Sequence, residues 1–266
     1  MSSIMTEQGS VHYEVFGHGR PVILLHGWLG SWGLWQKTMD FLSQGNYRTY
    51  ALDFWGFGES DKRRESYAVQ DFVTLVDQFM EQLGLLEAPL VGHSMGGTVS
   101  LSVAIKYPHR VSKVVIIGSP IDGASLALLL KLAGMRPIAW LVYHTMWALK
   151  MGIRISSPLI TRDHSWSDMI SQDLSRVTLE SFLMSIASLR RTDLRPHLPS
   201  LRKPVLGMYG ERDVIVNPNQ WKLVHQNIRD SHVARFSASG HFIMLDEPDR
   251  FMQALKQYLD WQPAGV

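Results

Sequence analysis

The sequence predicts an α/β architecture: a mostly parallel central sheet, helices on both of its faces, and one helical insertion. Three observations carry that reading. Short apolar runs alternate with amphipathic stretches along most of the chain, the pattern of parallel strands joined by crossover helices. Residues 21–25, Pro-Val-Ile-Leu-Leu, are apolar without a break, as in a strand covered on both faces. Residues 121–195 contain no convincing buried strand, and the alternation resumes from residue 201.

In chain order, residues 11–16 alternate in character and are expected to form a strand, in a hairpin with 21–25 or its neighbour. Gly17-His18-Gly19 supplies the turn. A short helix is expected over 35–42 and a strand over 47–52. Ser66 is placed to cap the next helix, whose stripe is Val69, Phe72, Val73, Val76, Phe79, Met80 and Leu83, with Gly84 at its end. The run Pro89-Leu90-Val91 reads as the central strand, and 98–107 as a helix stopped by Pro108. A strand over 111–117 follows. Helices broken at Gly134, Pro137, Gly152 and Pro158 fill the insertion. Strands over 204–209 and 232–236 then alternate with helices over 219–227 and 249–261. The expected organisation is a core of residues 1–120 and 196–266, with 121–195 as a lid over the carboxyl ends of the strands, where such sheets bind ligands.

Composition narrows the function. The chain has 266 residues, 45% apolar and 19% charged, which suits one large soluble domain. Lys+Arg 26 against Asp+Glu 24 leaves a charge of +2, so nothing calls for nucleic acid. No cysteine is present, which removes disulfides, thiol nucleophiles and thiolate metal sites, and fits a reducing compartment. With no leader pattern in residues 1–10 and no long apolar run, a cytoplasmic location without stable membrane insertion is expected. No metal cluster or phosphate loop occurs, and Gly56-x-Gly58 lacks the third glycine of a dinucleotide fingerprint, so no cofactor or metal is expected.

The chemistry centres on Gly92-His93-Ser94-Met95-Gly96, at the corner between the central strand and its helix. Such a corner holds its serine in a strained conformation that lifts the hydroxyl clear of the sheet, at a helix N-terminus that favours negative charge. A serine hydroxyl needs a base, and the base needs an orienting acid, in the chain order Ser, Asp or Glu, His. Of the eleven histidines, His241 alone follows the final strand, in Ser239-Gly240-His241-Phe242, and is the expected base. His26 and His93 flank the corner and are expected to pack and hydrogen-bond. Asp213 is the favoured acid; Asp122 and Glu211 are the alternatives, Asp122 also reading as a helix cap. The oxyanion donors are expected to be the amides of Met95 and of Trp28.

Four motifs occur in order: His26-Gly27-Trp28, Asp53-x-x-Gly56-x-Gly58-x-Ser60, Gly92-His93-Ser94-Met95-Gly96-Gly97, and Gly210-x-x-Asp213 followed by Gly240-His241. On these the chain resembles the α/β-hydrolase superfamily over residues 9–120 and 201–262. The serine at 94 sets it apart from the haloalkane dehalogenase and epoxide hydrolase branches, which use an aspartate there. Residues 26–31 with 94–97 are also similar to the menaquinone-pathway lyase, but that lyase carries an arginine where Thr98 stands.

The insertion is strongly apolar, and from 121 to 154 carries Lys131, Arg136, Lys150 and Arg154 against a single acid, Asp122. It is expected to line a lipophilic substrate pocket with Trp32, Trp140, Trp147 and Phe242, and to make at most a weak contact with a membrane surface. The expected activity is cofactor-independent carboxylesterase chemistry on small to medium lipophilic esters through an acyl-enzyme. Two rivals use the same site. A carbon–carbon bond hydrolase or lyase would need a basic anchor for a carboxylate, at Arg154 or Arg190. A receptor of the superfamily would turn over slowly. The oligomeric state is left open.

Overall fold

The computed structural model describes residues 2–7, 9–62, 65–133 and 135–262. Its strands are β1 (Ser2–Thr6), β2 (Gly9–Gly17), β3 (Arg20–Leu25), β4 (Tyr47–Leu52), β5 (Ala88–His93), β6 (Val111–Ile117), β7 (Val205–Gly210) and β8 (Ser231–Phe236). They form one sheet in the order β1-β2-β4-β3-β5-β6-β7-β8. The pairs from β4 through β8 are parallel; β1–β2 and β2–β4 are antiparallel.

One expectation needs correcting. β2 does not form a hairpin with β3. It pairs with β1 and β4, and β4 lies between the two. The turn at Gly17 and Gly19 is crowded by the residues that open β4: a Cβ on Gly17 would stand 2.3 Å from the Tyr47 carbonyl. The Arg20 amide donates to the Asn46 carbonyl at 3.0 Å, so β3 leaves the turn already paired to the β4 entry. β1, short and half polar at the sheet edge, had no signature in the sequence.

Helices cover both faces. On one side α2 (Val69–Gln82) and α3 (Met95–Lys106) pack through Phe72, Val76, Phe79, Val99 and Val103. On the other, α1 (Gln36–Ser43) and α11 (Pro248–Asp260) pack through Met39, Leu42, Phe251 and Leu255. Every residue of α3 from Met95 to Ala104 is buried, as expected of a helix apolar all round. The N-cap of α2 is Ala68 and not Ser66. The Asp71 carboxylate accepts from both the Ala68 amide at 2.7 Å and the Ser66 hydroxyl at 2.6 Å, so Ser66 serves the cap indirectly. Gly84 follows α2 at φ 66°, the left-handed turn that ends many helices.

Between β6 and β7 the chain forms α4 (Leu128–Ala133), α5 (Arg136–His144), α6 (Met146–Ile160), α7 (Trp166–Leu174) and α8 (Leu179–Arg191). This segment leaves and rejoins the core at one neck. Asp122 bridges to Asp193, Gly123 donates to the Thr192 carbonyl and Leu194 to that of Ile121, each at 2.9 Å. The remaining helices are α9 (Gln220–Asn227) and the short α10 (Ile243–Asp246).

A tight joint lies where α3 leaves β5 and packs on β3. A Cβ on Gly96 would stand 2.2 Å from the Leu25 carbonyl oxygen and 2.7 Å from that of His26, both backbone atoms of β3 and its loop. Neither can swing away. Gly96→Ala should therefore force α3 off the sheet and destabilise the protein by about 3 kcal/mol or more, in the overpacking class. Urea unfolding monitored by circular dichroism measures this; a loss below about 1 kcal/mol would show that the joint yields.

Candidate active site

Ser94 stands between β5 and α3 at φ 52°, ψ −118°, and is only 7% exposed. Among the described residues only Leu29 shares a positive φ without being glycine. Its amide donates to the Ile117 carbonyl at 2.8 Å, and its own carbonyl accepts from Gly97 and Thr98 at 3.0 and 3.3 Å. The corner is thus tied to the end of β6 and to the first turn of α3. Met95 is the first residue of that helix, where backbone N–H groups have no intrahelical partner.

His241 lies in the loop between β8 and α10 and is buried. Its Nδ1–H donates to Asp213 Oδ2 at 2.7 Å. Asp213 Oδ1 accepts from the Ile215 and Val216 amides at 2.8 and 2.9 Å. The carboxylate is therefore fixed by its own loop after β7, and Nε2 of His241 keeps its lone pair. His93, one residue before Ser94, donates from Nε2 to the His241 carbonyl at 3.1 Å. The Ser94 corner and the His241 loop are linked by that bond. Burial, and then the neighbouring His241, push His93 well below the usual histidine value, so it acts as a neutral linker.

The loop after β3 closes against the corner. A Cβ on Gly27 would stand 3.1 Å from Ser94 Cβ and 2.9 Å from His93 Nδ1. Gly30 donates to the Gly27 carbonyl at 3.1 Å, and Leu29 between them is at φ 62°. Trp28 is anchored through Nε1–H to the Phe182 carbonyl of α8 at 3.3 Å, with the two rings 4.8 Å apart.

The other acids lie elsewhere. Asp122 caps the turn at Gly123–Ser125, accepting from the Ala124 amide at 2.8 Å. Glu211 pairs with Arg235 at 2.7 Å on the surface.

Of the expected pocket residues, Phe242 alone adjoins the histidine. Its ring lies 5.2 Å from that of His241, 4.7 Å from that of His93 and 5.2 Å from that of Trp166 on α7. Trp140 and Trp147 point outward, 55% and 72% exposed, and Trp140 stacks on His144. The inner side of α6 is already filled by Met146, Leu149, Ile153 and Ile160, which pack on the core. Trp32 borders a different cleft of about 480 Å³, which it shares with Lys37, Asp163, Asp173 and Arg176. Ser94, His241 and Asp213 do not line that cleft.

One organising residue, Asp53, was missed, while His26 makes the hydrogen bonds expected of it. Asp53 is fully buried and accepts from the Trp32 amide at 2.7 Å and the Glu59 amide at 2.9 Å. Burial raises its pKa to about 7. The glycines of Asp53-x-x-Gly56-x-Gly58 were the available signal: a Cβ on Gly58, at φ 50°, would stand 2.0 Å from Asp53 Oδ2. His26 accepts at Nε2 from the Phe54 amide at 3.0 Å and donates from Nδ1 to the Gly27 carbonyl at 2.7 Å. It staples the loop after β3 to the loop after β4.

A parallel sheet with a serine at a strained strand–helix corner, and a histidine–aspartate pair on the neighbouring strand ends, defines a class: the α/β hydrolases. A family model described as alpha/beta hydrolase fold matches residues 20–140. The chain has the α/β-hydrolase fold and is similar in sequence to that superfamily over the matched residues.

It is 29% identical to the uncharacterized hydrolase YugF of Bacillus subtilis over 94% of each chain. It is 27% identical to a 2-hydroxy-6-oxononadienedioate/2-hydroxy-6-oxononatrienedioate hydrolase of Escherichia coli, over 94% of this chain and 90% of the other. To a pimeloyl-[acyl-carrier protein] methyl ester esterase of Vibrio campbellii it is 25% identical, over 94% and 98%. The solved structure of an esterase from Exiguobacterium antarcticum superposes with a TM-score of 0.83 at 23% identity, over 95% and 96% of the chains. No helix among the described residues is long and apolar enough to cross a membrane.

Burial lowers the His26 pKa from 6.5 to about 4. Between those values the folded protein binds fewer protons than the unfolded chain, so stability falls as pH drops through that window. The share owed to His26 is fully present above pH 6.5 and amounts to on the order of 3 kcal/mol lost by pH 4. The stability gap between wild type and His26→Gln should therefore narrow by about that much between pH 7 and pH 4. Urea melts at both pH values measure it, and parallel pH curves would show that His26 does not titrate in this way.

Proposed function

We propose that the protein is a serine hydrolase of uncharged, lipophilic carboxylic esters. Ser94 is the nucleophile, His241 its base and Asp213 the acid that orients the base. The observation that carries this reading is the 2.7 Å bond from His241 Nδ1 to Asp213. It leaves Nε2 as acceptor, in a loop that His93 ties to the Ser94 corner. Ser94 Oγ adds to the ester carbonyl carbon as its proton passes to His241 Nε2. The oxyanion that forms is held by the amides of Met95 and Trp28. Collapse expels the alcohol, which takes the proton from His241. Water, deprotonated by the same nitrogen, then releases the acid and restores Ser94. Helices α4–α8 serve as the lid, with the neck at Asp122–Asp193 as its base.

An uncharged substrate is favoured by where the two candidate anchors stand. Arg190 donates to the Lys131 carbonyl at 3.0 Å and joins α8 to α4, and Arg154 is exposed on α6. The relative at 27% identity named for a dienedioate supports carbon–carbon bond hydrolysis as the second reading. It would run on the same nucleophile and base.

Ser94→Ala should lower ester turnover by about 10⁴-fold or more while the melting temperature holds, as for other triad knock-outs. Asp213→Asn should cost about 10⁴-fold through the wrong histidine tautomer, and Asp122→Asn only a few-fold. A Ser94→Ala enzyme that keeps a tenth of the activity, or a worse loss at Asp122, would overturn the assignment.

A series of p-nitrophenyl esters from acetate to palmitate tests the pocket. Each methylene buried is worth about 0.8 kcal/mol, so kcat/KM should rise about fourfold per carbon until a short or medium chain fills the site. A flat profile would remove the lipophilic pocket. Faster turnover of a carboxylate-bearing ring-cleavage product than of every ester would establish the second reading. Acylation without repeated turnover would mark a receptor.

A further inference from the structure

The outer face of α4–α6 is unlike the rest of the surface. Of the thirteen large hydrophobic side chains exposed among the described residues, ten lie between Leu128 and Leu159. On α6, Trp147, Met151, Ile155 and Leu159 follow one another at four-residue steps and are between 54% and 74% exposed. Four-residue steps place them in one stripe along the helix. The side of α6 that packs on the core is apolar as well. The helix thus has two apolar faces, and one of them is exposed among the described residues. Contiguous exposed apolar surface of this kind marks an interaction site.

Charge indicates what the site meets. From Gly123 to Arg162 the sequence has no Asp or Glu, in a chain that carries 24, and it has Lys131, Arg136, Lys150, Arg154 and Arg162. Arg154 is exposed within the α6 stripe and Arg162 is exposed just beyond the helix end.

We propose that this face docks on an anionic lipid bilayer, with α6 lying in the interface. Tryptophan and aliphatic side chains on one helix face, flanked by cations without acids, match the composition of interfacial helices. Tryptophan favours the headgroup level, and the cations are drawn to anionic headgroups. A second copy of this chain fits less well, because a two-fold contact sets the same cations against each other. The contact is with the surface only, since no described helix can span a membrane. The inference does not depend on the ester reading, because its test measures binding and not turnover.

The experiment is co-sedimentation of the full chain with vesicles of phosphatidylcholine alone and of equimolar phosphatidylcholine and phosphatidylglycerol. Tryptophan fluorescence is recorded in parallel. The anionic vesicles should bind the protein, shift its emission to the blue and release it partly in high salt. The triple variant Met151→Ser, Ile155→Ser, Leu159→Ser should weaken binding by about tenfold or more, since it removes buried apolar area. Arg154→Gln with Arg162→Gln should remove most of the salt-sensitive part. An unchanged melting temperature shows that these exposed substitutions spare the fold. Absence of binding to either vesicle, or equal binding to the neutral one, overturns the proposal. So does a wild-type dimer in light scattering that the triple variant dissociates, which would assign the face to a second copy of this chain.

Discussion

A side-chain-bearing residue held at φ 52° and ψ −118° costs of order 1–3 kcal/mol, and it persists only where its surroundings leave no alternative. Ser94 has such surroundings. The end of β6 takes its amide, the first turn of α3 takes its carbonyl, and Gly96 locks that turn against the backbone of β3. Three neighbouring strands and the central helix therefore meet at one backbone position. The strain is offset by their packing, and the serine stands at the carboxyl edge of the sheet beside the N-terminus of α3. Every other part of the site is placed relative to that corner.

Three histidines surround it, and environment alone separates their roles. His26 and His93 are buried, lie below the usual histidine value, and use both ring edges or one to join loops. His241 is buried too, but it faces a carboxylate. A ring nitrogen that donates to a fixed acid leaves the opposite nitrogen with its lone pair, which is what base chemistry requires. His26 holds the loop after β3 to the loop after β4, and His93 ties the loop after β8 to the corner, so the site rests on neutral hydrogen bonds within the core.

The helical segment is coupled to this arrangement through its base. Ala127 donates to the Ile215 carbonyl at 2.8 Å, and Asn217 donates to that of Ser125 at 2.9 Å. Leu126 bridges Val216. These bonds join the start of the segment to the loop whose amides hold Asp213. On the far side Trp28 is fastened to α8 by its indole N–H and by ring contact with Phe182. The segment therefore rests on both the loop that carries Asp213 and the loop that carries Trp28.

Much of this was legible in one dimension because period and punctuation are local. Unbroken apolar runs mark strands buried on both faces, the stripe of α2 marks its inner side, and Gly92-x-Ser94-x-Gly96 between strand and helix marks the corner. The position of His241 and Asp213 after the last two strands follows from the same alternation. What the residues alone could not specify was which neighbour covers which face. Trp140, Trp147 and Trp32 are apolar wherever they point, and only packing decided that α6 turns its other side to the core and that Trp32 borders a separate cleft. The insertion of β4 between β2 and β3, and the bond from the Trp32 amide to Asp53, are pairings across long separations. Periodicity records how a segment is buried; the partner that buries it is settled by the whole chain closing on itself, and that is decided only in three dimensions.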